Sequence, residues 1–364
     1  MKENKKFLSE QIITYIGNKR LLIPYIEKEV LLIKESLNQT KLVCADLFSG
    51  SGIVSRMLKQ HSSYLYVNDL EKYSAIVNLC HLTNRSSFPE KEYRSCRKEL
   101  KEGLKNPLED GLIYQNYAPK NSAEILEGER VFYTPENAKI IDTTRAFIEK
   151  LPNDLQRFFL APLLYEASVH VNTGGIFKGF YKDRKTGLGK YGGTAENALS
   201  RIMAKIEIHP PVLSNFEAEV MVSQADANQR IEELPQLDVL YLDPPYNQHP
   251  YGSNYFMLNV IAENKIDAPI SRVSGIPDNW NRSLYNQKKS ARLSLEDIVK
   301  KAKAKFLIIS YNSEGFISKG EMLECLQKYG RVKIVDIQYN TYRASRNLKA
   351  RQTYVKEYLF ILEK

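Results

Sequence analysis

The stretch Tyr241-Leu242-Asp243-Pro244-Pro245-Tyr246-Asn247, "YLDPPYN", follows directly on Asp238-Val239-Leu240. The apolar run from Val239 to Leu242 reads as a buried strand. Pro244 and Pro245 end it, because neither has an N–H for a sheet ladder. Asp243 and Tyr246 are thereby expected at a strand's carboxyl end, the edge at which open α/β sheets bind ligands. A plain strand followed by a proline turn would carry the same letters. The choice between the two rests on what surrounds the stretch.

Upstream, Leu42–Leu47 reads as a strand, Phe48-Ser49-Gly50-Ser51-Gly52 as a glycine loop, and Ile53–Gln60 as a helix. Tyr64–Val67 is the next strand, and Asp69 follows it. Strand, glycine loop, helix, strand and acid are the front half of a doubly wound α/β domain. From about 85 the pattern changes. Residues 85–130 are polar with poor periodicity, 136–171 look helical, and 172–193 form a loop rich in Gly and Lys. The span 85–215 therefore reads as a mostly helical insertion, and 1–84 with 216–364 as the α/β domain that carries it. The α/β pattern returns at Val220–Val222 and Asp238–Leu242. A long aromatic and polar stretch, 247–292, follows. Phe306–Ser310 reads as a strand, Glu321–Lys328 as a helix, and Val332–Tyr339 and Tyr358–Leu362 as two further strands. Joined by a basic connection, these two are expected to form an antiparallel hairpin at the sheet's edge.

The 364 residues carry 52 Lys and Arg against 43 Asp and Glu, a net charge of +9 that favours a polyanionic partner such as nucleic acid. Tyrosine is abundant, at 23 residues against one Trp, which suits phosphate contacts and base stacking as well as simple packing. Cys44, Cys80, Cys96 and Cys325 have no paired spacing, which points to reduced thiols and away from a zinc site. The five histidines form no metal-ligand motif, so no metal is expected. The opening MKENKKFLSE has no apolar signal core, and no segment is apolar enough to span a bilayer. A cytoplasmic protein is expected.

Gly50 and Gly52 would let the backbone approach a ligand closely. The full GxGxxG fingerprint is absent, because Ser55 stands at its last glycine. A nicotinamide cofactor, a flavin or S-adenosylmethionine would each suit such a loop. Asp69 is placed to accept from two ribose hydroxyls, or to cap a helix. Asp226, after the third strand, is placed to accept from an adenine amino group, or again to cap a helix.

The order of these features resembles the alpha group of S-adenosylmethionine-dependent DNA N6-adenine methyltransferases, in which FxGxG comes first, a target-recognition region next, and DPPY after it. Phe48 to Gly52 matches the first motif and Asp243 to Tyr246 the second. "YIGNKRLLIPYI" at 15–26 resembles the group's N-terminal motif, which implies that Tyr15, Gly17 and Lys19 help close the methionine pocket. "VNTGGIFKGF" and "NQHPYGSNYFMLN" are similar to segments of methyltransferases that accompany type IIS restriction enzymes. The resemblance implies a Rossmann-like class I methyltransferase sheet. It implies cofactor contacts from Tyr15, Gly17, Lys19, Asp46, Phe48, Gly50, Gly52, Asp69, Asp226 and Asp243. It further implies double-stranded DNA as substrate and a cognate restriction endonuclease as partner.

The chemistry fits the motif. An adenine amino nitrogen is a poor nucleophile, because its lone pair is delocalised into the ring. Asp243 can accept one N–H and the carbonyl of Pro244 the other. Pro245 belongs to the same motif, and Tyr246 would stack on a base taken out of the duplex. Tyr255 and Phe256 are candidates for the pocket wall or for the core. No cysteine follows a proline, which excludes cytosine-C5 methylation by a Pro-Cys nucleophile. N4-cytosine or RNA adenine methylation, and a DNA-binding regulator without turnover, stay open at this level. So does a nicotinamide dehydrogenase. Phosphate contacts are expected from Lys178, Lys182, Arg184, Lys185 and Lys190, and from Arg343, Arg346, Lys349 and Arg351. The insertion and the 247–292 stretch would read the recognition sequence.

Overall fold

The computed structural model describes residues 2–193, 196–340 and 354–364. Seven strands form one sheet: β1 (Leu42–Asp46), β2 (Ser62–Asp69), β3 (Glu219–Gln224), β4 (Leu237–Leu242), β5 (Ala304–Asn312), β6 (Arg331–Asn340) and β7 (Tyr354–Glu363). Their spatial order is β3-β2-β1-β4-β5-β7-β6. Neighbours from β3 to β5 pair in parallel. Strand β7 runs antiparallel to both β5 and β6. The expected C-terminal hairpin is therefore present, with β7 slotted inward and β6 at the edge.

Strand β4 is central because its composition demands it. All six of its residues are buried, as expected for a strand covered on both faces. Burial of each large apolar side chain contributes on the order of 1.5–3 kcal/mol. Leu240 and Leu242 pack into the core on one face, with Leu47, Leu307 and Ile309. Val239 and Tyr241 pack on the other, with Cys44, Leu65 and Ile308. The order reverses between β1 and β4, so their carboxyl ends diverge into a crevice at this switch point.

In the 85–215 span the regular elements are helices: Glu90–Gly103, Leu112–Tyr117, Pro135–Ile148, Asn153–Val169 and Leu199–Met203. The helical stretch expected at 136–171 is two helices, broken ahead of Asn153 where Pro152 disfavours a helical residue before it. Their apolar faces share one core with the helix Lys72–His81, through Tyr73, Val77 and Cys80, and with the helix Phe256–Glu263. The boundaries at 85 and 215 are thus boundaries along the chain, while the packing runs across them. Among the described residues no helix is long and apolar enough to cross a membrane.

Candidate active site

The crevice at the β1/β4 switch point is a cavity of about 850 Å³, counting the part continuous with solvent. Four strand ends build it. After β1 come Asp46 and the loop Leu47–Ser51; after β2, Asp69 to Glu71; after β3, Ala225 to Ala227; after β4, Asp243 and Pro245. The N-terminal segment adds Tyr15, Gly17, Asn18 and Lys19. The stretch after the proline turn adds Tyr251, Gly252, Asn281, Ser283, Tyr285 and Asn286.

Nine of the ten residues expected around a cofactor line this one space. Gly52 does not. It begins the helix Ile53–Lys59 with φ +79°, and a Cβ there would stand 2.6 Å from Asn78 Oδ1. Glycine is needed for the backbone and for that packing. Pro244 and Tyr246 also lie outside the lining. The Tyr246 carbonyl accepts from the Phe316 N–H at 2.9 Å, and its ring packs edge-on to Tyr311.

Three of the loop's amides are spoken for. Gly50 N–H donates to Asp69 Oδ2 at 2.7 Å, Ser49 N–H to the Asn68 carbonyl at 3.1 Å, and Gly52 N–H to the Ser49 carbonyl at 2.7 Å. A pyrophosphate would need such amides for itself. Asp69 also accepts from Glu71 N–H at 2.9 Å. It is not the helix cap, since Glu71 holds the N-cap position of Lys72–His81. Asp226 does cap its helix, accepting from Asn228 and Gln229 N–H at 2.9 and 3.3 Å, both on Oδ1. It faces the cavity as well.

Among the described residues the wall carries five carboxyls, Asp46, Asp69, Glu71, Asp226 and Asp243, and a single ammonium, Lys19. They are spread around the space, and no cluster of three or more His, Cys, Asp or Glu among the described residues is placed to hold a metal ion. Asp46 is fully buried. Its Oδ2 accepts from Ser55 Oγ at 2.6 Å, and its Oδ1 has no hydrogen-bond partner. Burial pushes its pKa up to about 7, with Asp243 and Asp69 adding to the rise and Ser55 opposing it. Glu71 is also pushed up to about 7, by burial and then by Asp69, although Asn259 and Asn281 donate to its Oε2 at 2.6 and 3.1 Å. Burial raises Asp69 too.

Asp243 is held by Lys19, whose Nζ lies 3.1 Å from Oδ1. Burial nevertheless raises Asp243 to about 7, against the pull of Lys19. For Lys19 itself, burial works downward. The carboxylates of Asp243 and Glu357 outweigh it and hold the ammonium well above its ordinary range. Glu357, on β7, is an ion-pair partner of Lys19.

Aromatic side chains close the rim. Tyr15 stacks on Tyr251 at 4.9 Å and on Tyr255 at 4.7 Å. Tyr255 Oη accepts from Ile16 N–H at 2.6 Å and donates to the Gly175 carbonyl at 3.4 Å. Phe177 N–H donates to the Asn254 carbonyl at 2.7 Å. The N-terminal motif, the proline-turn segment and the glycine-rich loop at 172–193 thus meet around Tyr255, behind the wall residues Tyr15 and Tyr251. Tyr255 and Phe256 are core residues, and Tyr251 is the wall tyrosine. On the other side Phe48 meets Tyr285 edge-on at 5.1 Å.

Of the expected phosphate contacts, Lys178, Lys182, Arg184 and Lys185 are exposed on the 172–193 loop. Lys190 is paired with Glu196 at 2.7 Å. Arg343, Arg346, Lys349 and Arg351 lie outside the described residues.

The profile of the D12 class of N6 adenine-specific DNA methyltransferases matches residues 15–325. The chain is 33% identical over 363 residues to the type II methyltransferase M.NlaIII of Neisseria lactamica, covering 97% of this chain and 99% of that protein. It is 29% identical to the type II methyltransferase M.CviAII of Paramecium bursaria Chlorella virus 1, over 96% of this chain and 98% of the relative. With the type II methyltransferase M.FokI of Planomicrobium okeanokoites it shares 28% identity over 96% of this chain, which spans 52% of that longer protein.

Proposed function

Because the chain belongs to the D12 class of N6 adenine-specific DNA methyltransferases, we propose that the acidic crevice holds S-adenosylmethionine and presents its methyl group beside Asp243. The observation that carries this reading is the charge of the wall, five carboxyls against one ammonium. Such a wall attracts a cationic ligand and repels a dinucleotide's pyrophosphate. Asp69 and Asp226 are suited to the ribose hydroxyls and the adenine amino group, and Tyr15 with Tyr251 to the methionine end. The cofactor, when bound, supplies an electrophilic methyl.

The remaining work falls to the chain. Asp243 accepts one N–H of the target adenine and the Pro244 carbonyl the other, so that the nitrogen lone pair turns toward the methyl. Tyr246 supports the extruded base. Catalysis is then positioning and electrostatics, with no covalent enzyme intermediate. The exposed Lys178, Lys182 and Arg184 are proposed to meet DNA phosphates. The 85–215 span and the 247–292 stretch are proposed to form the target-recognition region around a catalytic domain of 1–84 and 216–364. The type II names of the relatives support a place as the cytoplasmic modification partner of a restriction endonuclease that cuts the same site, and the two segments resembling type IIS methyltransferases suggest that subgroup.

Calorimetry tests the cofactor. S-adenosylmethionine is expected to bind near pH 7 with release of protons, because a cation lowers the raised pKa values of Asp46, Glu71 and Asp243. The heat should therefore change with the buffer's ionisation enthalpy. Asp69→Ala, which frees the Gly50 and Glu71 amides, should weaken binding by about 100-fold. Binding of NAD in place of S-adenosylmethionine would overturn the assignment.

A further inference from the structure

We propose that Glu357 is a positioning residue for methyl transfer, holding the Lys19 ammonium so that it occupies one oxygen of Asp243 and leaves the other to the target amino group. This inference rests on the reading of Asp243 as the amino-group acceptor.

Glu357 lies on β7, opposite Asn312 of β5 and Ile337 of β6. It is fully buried. An isolated carboxylate there would cost several kcal/mol, so its partners explain its presence. Ser310 Oγ reaches Oε1 at 3.3 Å and Asn312 Nδ2 reaches Oε2 at 3.0 Å. Both donors belong to rigid β5. Lys19 Nζ donates to Oε1 and, from the other side, stands 3.1 Å from Asp243 Oδ1. The chain of contacts runs from the β5–β7 ladder through Glu357 and Lys19 to the motif acid. No part of it crosses a flexible surface group, since Lys19 is itself 4% exposed.

The arrangement does two things. It fixes the long Lys19 side chain, which would otherwise have many rotamers and other carboxylates to visit. Among the described residues only Oδ1 of Asp243 is engaged, so Oδ2 is left for a substrate N–H. It also places a second negative charge near Asp243. The groups facing this trio are Asp46 from β1, Tyr241 from β4, and Tyr246 and Tyr251 from the segment after the proline turn. Tyr241 and Tyr251 are neutral at working pH, since burial raises both well above their ordinary range. Lys19 is the one cation in the set.

The test is steady-state and single-turnover methyl transfer across pH 5.5–9 by the full chain, wild type against Glu357→Gln and Glu357→Asp. Glu357→Gln keeps the shape and removes the charge. It should lower kcat by about tenfold with KM for DNA nearly unchanged, since the loss is in orientation at the reacting group. It should also move the acid limb of the profile to lower pH, because one negative charge beside Asp243 has gone. Glu357→Asp keeps the charge one methylene back. It should leave the acid limb where it is in the wild type and recover part of kcat. If both variants turned over at the native rate, or if the Asp variant shifted the acid limb as the Gln variant does, the inference would fail. If Glu357→Gln does not fold, the Asp variant decides alone: an unshifted limb with reduced kcat supports the role, and native kcat refutes it. Asp243→Ala, run beside them, separates the two readings, because it removes the acceptor outright. Activity surviving in Asp243→Ala would remove the acceptor itself, whereas a dead Asp243→Ala beside a native Glu357→Gln would remove only the present inference.

Discussion

Asp243→Ala is expected to lower the single-turnover rate of methyl transfer by about three orders of magnitude while the protein stays folded. The rate loss follows from what the side chain does. The target amino group has two hydrogens and, on this account, two acceptors, Asp243 and the Pro244 carbonyl. Removing one leaves the nitrogen conjugated with its ring, and the loss of one positioned polar group at a reacting centre costs about 10²–10⁴ in rate. The stability argument has a definite sign. Burial raises the Asp243 pKa to about 7, above the ~3.9 of an unfolded chain. A carboxyl raised in this way contributes stability that is fully present below about pH 4 and lost as pH rises through about 7. At pH 8 its ionisation opposes folding, so its removal does not destabilise through that route. Lys19 keeps Glu357 as a partner. Thermal denaturation at pH 8 should thus give a midpoint close to the wild type. A near-native transfer rate would show that another group accepts the amino hydrogen.

Lys19→Met should behave in the opposite way, with a large loss of stability. Removing one partner of a buried ion pair costs about 3–5 kcal/mol, because the other is left without compensation. Here two carboxyls, Asp243 and Glu357, lose their shared cation. The pH dependence identifies the cause. Without the ammonium the Asp243 carboxyl, already raised by burial, is pushed further up and Glu357 loses its cation, so the protonated pair is tolerated at low pH and the ionised pair is not. Denaturant unfolding should therefore find the variant nearer to the wild type at pH 5 than at pH 8. The double variant Lys19→Met with Glu357→Gln should recover part of the deficit at pH 8. A deficit independent of pH would mean that Lys19 serves packing alone.

The residues around Asp243 were legible in the sequence for local reasons. Proline cannot extend a sheet, so the end of β4 announces itself. A glycine pair between an apolar run and a helix marks the turn after β1. These signals depend on neighbours along the chain, and they locate Asp46, Gly50, Asp69, Asp226 and Asp243. Glu357 carries no such signal. In "VKEYLF" it stands directly after Lys356, in a charged pair that reads as the polar start of a strand, and only the insertion of β7 between β5 and β6 buries it. Tyr251 and Tyr285 are equally silent, because their place on the wall depends on how the 247–292 stretch folds back over the crevice. The Glu90–Gly103 helix was hidden for another reason. It buries only Tyr93 and Leu100, with Cys96 and Leu104 partly buried on the same side, so its apolar stripe is narrow within an otherwise charged run.

The most direct test of the central claim is transfer of labelled methyl from S-adenosylmethionine to unmethylated double-stranded DNA, followed by digestion to nucleosides. The account predicts label in N6-methyldeoxyadenosine alone, at a fixed sequence. Label in N4-methyldeoxycytidine, or label in RNA and none in DNA, would contradict it.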